Sequence, residues 1–345
     1  MGVKTTELKA RREALELAVT LGVLAWACAA PQPSQKTRQQ SLAPSSPAAA
    51  LTSRSGLLQS GQIRKMLAGL ARMRRWRAIE AGVVTPGGNA STLDAPPILF
   101  ETLAPLVHLE AAAHVAFDRT PPMERAAGLA CKDLHGIVEE TLARGEVPLI
   151  LGGECSLIAG SLSAASNRIS SLSLAFFDAH ADFNTVQTTP SGYLGGMCLA
   201  HVCGLFVDPL PWSAASPFPG KSVFLIGGRS LDPGEMENLD RMGVRRIAPE
   251  ASDAVLRIRE SMRDKPVWVH VDLDVVDPTS MFAVSHPTPN GIAFERLSEL
   301  LSAAAKAGRV QGIEICGYLP GKDRQRVLPN QIATAVAGML SQGVD

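Results

Sequence analysis

The sequence predicts an α/β protein whose parallel sheet is covered on both faces by helices, and three observations predict it. Short, near-continuous apolar runs recur along the chain, as strands buried on both faces require. Stretches with helical spacing separate them, so successive strands are joined by crossovers. The polar residues that could carry chemistry fall where the apolar runs end, and open parallel sheets hold their ligands at that end.

Taken in order, residues 1–55 read as an N-terminal extension and residues 56–345 as one domain. In the extension, Lys9, Arg11 and Arg12 precede an apolar run over 17–30, closed by small residues and Pro31. This reads either as a targeting segment, with Glu13 and Glu16 ill placed at its start, or as a buried first element of the fold. It is too short for a transmembrane helix. Residues 31–55 are rich in Pro, Ser, Gln and Ala and read as a linker. Residues 57–82 have helical spacing with a basic, solvated face, and a Gly/Pro-rich break covers 85–97. Residues 122–145 predict an amphipathic helix, with Pro122 at its start and Gly145 at its end. VPLILGGE (147–154) follows as a buried strand. SLSLAFFDAHAD (171–182), SVFLIGGRS (222–230), PVWVHVDLDVVDP (266–278) and RVQGIEICGYLP (309–320) repeat the pattern, with helical stretches at 234–242 and 294–307.

Composition narrows the function. The 345 residues carry 33 basic and 33 acidic side chains, so nothing favours binding to nucleic acid or to an anionic membrane. A hydrophobic fraction of 46% supplies a sizeable core. The six cysteines (28, 131, 155, 198, 203 and 316) form no CxxC pair, and a disulfide scaffold is not expected at this length.

The chemistry lies in two acidic clusters. Asp178, His180 and Asp182 stand at i, i+2 and i+4, which on an extended chain is one face. Asp178 directly follows an apolar strand, and a buried carboxylate without a partner is costly. A divalent cation offsets that cost; the bland alternative is an aspartate capping the next helix with His180 packed nearby. Asp272 and Asp274 likewise share a face of an otherwise apolar run, and repel each other unless something positive sits between them. Four carboxylates and one imidazole favour a hard-to-borderline metal such as Mn²⁺. They suffice for two ions about 3.5–4 Å apart, which can deprotonate a water between them at neutral pH.

FFDAHADFNT followed by PSGYLGGM resembles the D-A-H-x-D-x-N-T and S-G-N-x-H-G pair of the arginase (ureohydrolase) family. VHVDLDVVDP is similar to its S-x-D-x-D-x-x-D-P, and LGGECS to its G-G-D-H-S. The resemblance covers roughly residues 120–330. It implies a three-layer αβα fold with an eight-stranded parallel sheet and a binuclear manganese site. It implies hydrolysis of a guanidino or amidino C–N bond through a metal-bridging hydroxide. The implied ligands are Asp178, His180, Asp182, Asp272 and Asp274, with Asp182 also relaying a proton. Asn184 and Ser191 match positions that contact the substrate's α-carboxylate side in arginases.

Some positions depart from the pattern. Cys155 stands where the family has a metal-ligating histidine. It is either a thiolate ligand, shifting preference towards zinc, or an inert buried thiol beside a five-ligand site. Gly195 stands at the position of a proton-shuttling histidine; His201 replaces it only if the loop folds back. Gly317 stands where a glutamate binds the guanidinium, with Glu314 upstream as a substitute candidate. His270 shares a strand face with Asp272, either packed or supporting the site. Cys155 and the loop 193–197 look more like the N-hydroxyarginine amidinohydrolase branch, which also has glycine at the shuttle position. The reading is therefore a metal-dependent hydrolase of linear amidines acting on an amino-acid-like guanidino substrate. The alternatives are hydrolysis of another amide or amidine, and a non-catalytic metal-binding member of the fold. The resemblance further implies a homo-oligomer in the cytoplasm.

Overall fold

The computed structural model describes residues 75–341, apart from 108, 110 and 207–215. The expectations for residues 1–55, and for a helix over 57–74, lie outside the described residues. The strands are β1 (Trp76–Ala81), β2 (Ala112–His114), β3 (Val147–Gly152), β4 (Ser173–Asp178), β5 (Val223–Gly227), β6 (Arg245–Ile247), β7 (Pro266–Asp272) and β8 (Arg309–Cys316). They form one sheet in the order β2-β1-β3-β8-β7-β4-β5-β6, with every neighbouring pair parallel.

The helices are α1 (Ala95–Val107), α2 (Met123–Ala143), α3 (Ile158–Arg168), α4 (Cys198–Val202), α5 (Pro233–Met242), α6 (Ala254–Met262), α7 (Phe294–Ala307) and α8 (Leu328–Leu340). The period-two alternation of each strand divides the core between the two faces. In β4, Ala175 and Phe177 join the cluster that α1, α6, α7 and α8 cover. Leu174 and Phe176 join the cluster that α2, α3, α4 and α5 cover. Three layers follow, helices on a parallel sheet on helices. The helices bury stripes at the spacing the sequence shows: Leu297, Leu300, Leu301 and Ala304 of α7 are all buried. Among the described residues no helix is long and apolar enough to cross a membrane.

Two expectations need correction. Residues 76–81 are not the end of a helix but β1, paired in register with all six residues of β3. Its Arg, Ala and Glu content suits a helix, but pairing between two strands overrides that propensity. The break over 85–97 is shorter than expected, since α1 starts at Ala95 and takes Pro96 and Pro97 into its first turn, where missing N–H groups cost nothing.

The order β3-β8-β7-β4 matters most for function. It sets the C-terminal ends of the four central strands side by side, so Cys155, Gly317, Asp272 and Asp178 come from distant parts of the chain to one place.

Candidate metal centre

At these strand ends lies a small, partly open cleft. Cys155, Asp178, His180, Asp182, Asp272 and Asp274 all line it. β4 ends at Asp178, and the next residues turn rather than run on extended: Asp182 has φ 51°. The expected single extended face is thus incorrect, yet the turn keeps the donors together. His180 donates its backbone N–H to Asp178 Oδ1 at 2.7 Å, and its Nδ1 lies 3.0 Å from Asp274 Oδ2. Likewise β7 ends at Asp272, and Asp274 sits in the 3₁₀ turn Leu273–Val275. The Asp274 N–H donates to Asp272 Oδ1 at 2.8 Å, which fixes the two carboxylates relative to each other.

Five of these donors form two groups, each with its ligand atoms within 4.8 Å of one another. One is Cys155, Asp178 and Asp272; the other is Asp178, His180 and Asp274. Asp178 belongs to both. Its Oδ1 faces His180 and its Oδ2 lies 3.7 Å from Cys155 Sγ, so its two oxygens address different groups. Cys155 Sγ is 2.9 Å from Asp272 Oδ2. Asp182 accepts from Cys198 Sγ at 3.3 Å.

Electrostatics tests whether cations fit. Burial, then the nearby Asp274, raises the Asp178 pKa to about 6. Burial also raises Asp272 and Asp182 well above the carboxylate range, with neighbouring negative charge adding to it. Burial opposes the charged form of His180, but the carboxylates of Asp178 and Asp274 outweigh it and push its pKa up to about 12. Burial likewise works against Asp274, and the His180 imidazolium overcomes it and holds the carboxyl low. One imidazolium therefore faces four enclosed carboxylates. The donor set is short of positive charge, and oxygen, nitrogen and sulfur donors are already convergent, so divalent ions fit it.

A pH dependence follows. The unfolded chain ionises Asp178 at lower pH than the folded one. The stability this carboxyl contributes without metal is therefore present below about pH 4 and lost as pH rises through its folded value of about 6. The raised pKa of His180 preserves its own contribution to far higher pH. Metal reverses the carboxylate trend, because it binds the deprotonated ligands. The gain in Tm on adding Mn²⁺ is expected to grow between about pH 5 and pH 7.5; a gain that shrinks over that range contradicts this arrangement.

Other expected residues lie elsewhere. Glu314 is fully buried in β8 outside the cleft lining, with its carboxylate on Ser161 and His270, so it cannot stand in for a guanidinium-binding glutamate. His201 is buried in α4, packed at 5.4 Å on the Phe206 ring, and lines no part of the cleft; the loop does not fold back to bring it there. Asn184 is buried outside the cleft lining, its amide committed to Asp232 and Thr188. Ser191 also lies outside that lining, exposed, and accepts from the Tyr193 N–H. His270 is fully buried in β7, with its Nδ1 2.8 Å from Glu314 Oε1.

The sequence reading passed over Tyr193 and Glu154. The Tyr193 hydroxyl donates to Glu154 Oε2 at 2.9 Å, and the other oxygen of Glu154 accepts from Thr85 and Ser156. A Cβ built on Gly195 would lie 2.3 Å from the Tyr193 ring, so the phenol occupies the space a side chain at 195 would need. The signal was available: a bulky residue two positions before a glycine, in a loop that returns to the strand ends. Arg229 was missed too; it binds the Asp274, Val275 and Thr288 carbonyls and pins the turn that carries Asp274.

The family model described as Arginase family matches residues 61–342. The chain is 30% identical over 206 residues to an N(omega)-hydroxy-L-arginine amidinohydrolase of Streptomyces lavendulae, covering 60% of this chain and 72% of that protein. It is 30% identical over 232 residues to an arginase of Bacillus caldovelox, covering 63% and 75%. The solved structure of a Bacillus caldovelox arginase matches with a TM-score of 0.68 at 25% identity, over 79% of this chain and 99% of that one. The proclavaminate amidino hydrolase of Streptomyces clavuligerus shares the fold, with a TM-score of 0.64 at 19% identity over 79% of this chain and 93% of that one.

Proposed function

The chain belongs to the arginase family and is a hydrolase acting on amidines, and from that premise we propose that it uses two divalent ions to hydrolyse the guanidino C–N bond of an N-hydroxyarginine-like amino acid. One observation carries the two-ion reading: Asp178 is common to two separate donor groups. The residues that would hold the ions are Asp178, His180, Asp182, Asp272 and Asp274, with Cys155 as a sixth ligand. The carboxylate-rich end favours Mn²⁺, and the thiol favours zinc at its own end. When bound, such ions acidify water at neutral pH and polarise the bond under attack.

The chain's own side chains set the rest. Arg229 and the N–H groups of Ala179 and Asp274 lock the carboxylates in place. Burial, then the Glu154 charge, raises the Tyr193 pKa well above the phenol range, so the hydroxyl keeps its proton at neutral pH. It lines the cleft against Gly195, the position that the family resemblance matches to a histidine, and can donate to the departing nitrogen. A hydroxylamine-type nitrogen needs less help to leave than a plain amine, which suits a weak acid such as a phenol. The similarity to the amidinohydrolase of Streptomyces lavendulae supports the same substrate class. The family resemblance also supports assembly into a homo-oligomer and a cytoplasmic location.

Gly317 favours a second reading. It lines the cleft and offers no carboxylate to a guanidinium, which suits an uncharged amide or amidine. Turnover of arginine, N-hydroxyarginine and agmatine by the metal-loaded full chain separates the two. The first reading predicts kcat/KM at least about tenfold higher on N-hydroxyarginine. Activity on none of the three, with metal bound, transfers the case to the second. Tyr193→Phe is expected to lower kcat by about 10²-fold with KM little changed, as loss of a proton donor does. A change in KM alone would instead make Tyr193 a binding residue.

A further inference from the structure

Behind the cleft, which Cys155 lines, two more fully buried donors, Cys316 and His270, stand outside its lining. Cys155 Sγ lies 3.6 Å from Cys316 Sγ, and Cys316 Sγ lies 3.5 Å from His270 Nε2. All three donor atoms fall within 4.8 Å of one another, and all three residues are buried. Strand register explains the meeting. β7 and β8 are parallel neighbours in which His270 pairs with Glu314 and Asp272 with Cys316. With a side-chain period of two, residues 270 and 272 on one strand and 314 and 316 on the other share one face. Cys155 enters from the turn after β3, on the other side of β8.

His270 is held in one orientation. Its ring stacks on Phe176, with centroids 4.2 Å apart and planes 6° from parallel. Its Nδ1 lies 2.8 Å from Glu314 Oε1, and Glu314 is itself anchored by the Ser161 hydroxyl. Nε2 is thereby left facing the two thiols. A carboxylate on one ring nitrogen and a soft donor cluster on the other is the arrangement that orients imidazoles for metal ligation.

We propose that Cys155, Cys316 and His270 form a soft metal site for one zinc-class divalent ion, with Asp272 as its fourth ligand. The distances support it. Zinc–sulfur bonds of about 2.3 Å and zinc–nitrogen bonds of about 2.0–2.1 Å in a tetrahedron put two sulfurs about 3.8 Å apart, and sulfur and nitrogen about 3.5 Å apart. The observed separations are 3.6 and 3.5 Å. Asp272 Oδ2, at 2.9 Å from Cys155 Sγ, stands closer than the roughly 3.6 Å of a shared ion and swings outward to accept it. The proposal deepens the two-metal reading and rests on it, because Cys155 and Asp272 also belong to the group that includes Asp178. It makes the centre chemically mixed: a soft ion at the inner, sulfur-lined end and a hard ion among Asp178, His180, Asp182 and Asp274.

The test uses the full chain, stripped of metal and loaded with one equivalent of zinc, and counts sulfur around zinc by X-ray absorption. The expected result is two sulfur scatterers and one imidazole per zinc, falling to one sulfur in Cys316→Ser. With cobalt in place of zinc, the thiolate charge-transfer absorption of Cys155→Ser and of Cys316→Ser is expected at about half the wild-type intensity, scaling with thiolate number. One sulfur per zinc in the wild type overturns this site while leaving Cys155 as a ligand of the two-metal centre. Zinc held by oxygen and nitrogen alone overturns it and removes Cys155 from the ligand set. No bound zinc, including when Cys155 and Cys316 have joined as a disulfide, overturns it; manganese binding, measured separately, then decides whether the two-metal reading survives.

Discussion

Asp178→Ala is expected to lower turnover by about 10³-fold or more and to reduce bound metal from two ions per chain to about one at most. His180 and Asp274 belong to one of the two carboxylate-containing groups and Cys155 and Asp272 to the other, with Asp182 in neither, whereas Asp178 belongs to both. Removing it therefore empties the hard position and also takes a carboxylate from beside Cys155 and Asp272, while Asp274→Ala is expected to strip the hard end alone. The substitution also tests the electrostatic account without any metal. Asp178 is the carboxyl whose pKa burial raises to about 6. The metal-stripped variant is expected to show a shallower decline in Tm between about pH 4 and pH 6 than the stripped wild type, with the share of Asp272 and Asp182, whose carboxyls burial also raises, remaining. Full activity, or two ions retained in Asp178→Ala, would show that the two donor groups do not share this residue.

Gly317→Glu is expected to destroy the site rather than restore a guanidinium-binding carboxylate. Gly317 has φ +89°, which side chains other than glycine's adopt at a cost of about 1–2 kcal/mol. A Cβ there would lie 2.4 Å from Asp272 Oδ1 and 3.0 Å from Oδ2, so the carboxylate must move. The Gly317 N–H is also bonded to the Gly153 carbonyl, which ties this backbone to the turn carrying Cys155. Any shift that relieves the clash thus moves Asp272 or the Cys155 turn. Turnover is expected to fall at least about 10²-fold and Tm to drop by roughly 5 °C or more. Gly317→Ala is expected to show most of the same loss, because the clash begins at Cβ. A Gly317→Glu variant that gains turnover on arginine would contradict this geometry.

Much of the fold was legible because it depends on patterns that stay local. The apolar runs at β3, β4, β5, β7 and β8 are strands, and the spacing over 234–242 and 294–307 becomes α5 and α7 with boundaries within a residue. β1 was illegible because Trp76–Ala81 is helix-prone in composition and a strand only through its pairing with β3. β2 and β6, three residues each, are too short to show a period. At the site, the donors were legible as residue types, since carboxylates at the end of apolar runs demand an explanation. Their arrangement was not: Asp182 at φ 51° and Asp274 in a 3₁₀ turn depart from the extended geometry that the spacing suggests. Contacts between distant segments were invisible for the same reason. Nothing in IEICGYLP announces that Cys316 meets Cys155 across 161 residues, or that Tyr193 reaches Glu154.

Whether two divalent ions carry the amidine hydrolysis is decided by counting ions per chain in the metal-loaded full-length protein by elemental analysis. Release of urea or hydroxyurea from the same samples is followed as the ions are titrated back into stripped protein. Two ions per chain are expected, with product release appearing only as the second ion fills. Fewer than one ion per chain, whichever metal is supplied, would contradict the two-metal reading and leave the carboxylates at the ends of β4 and β7 without a function.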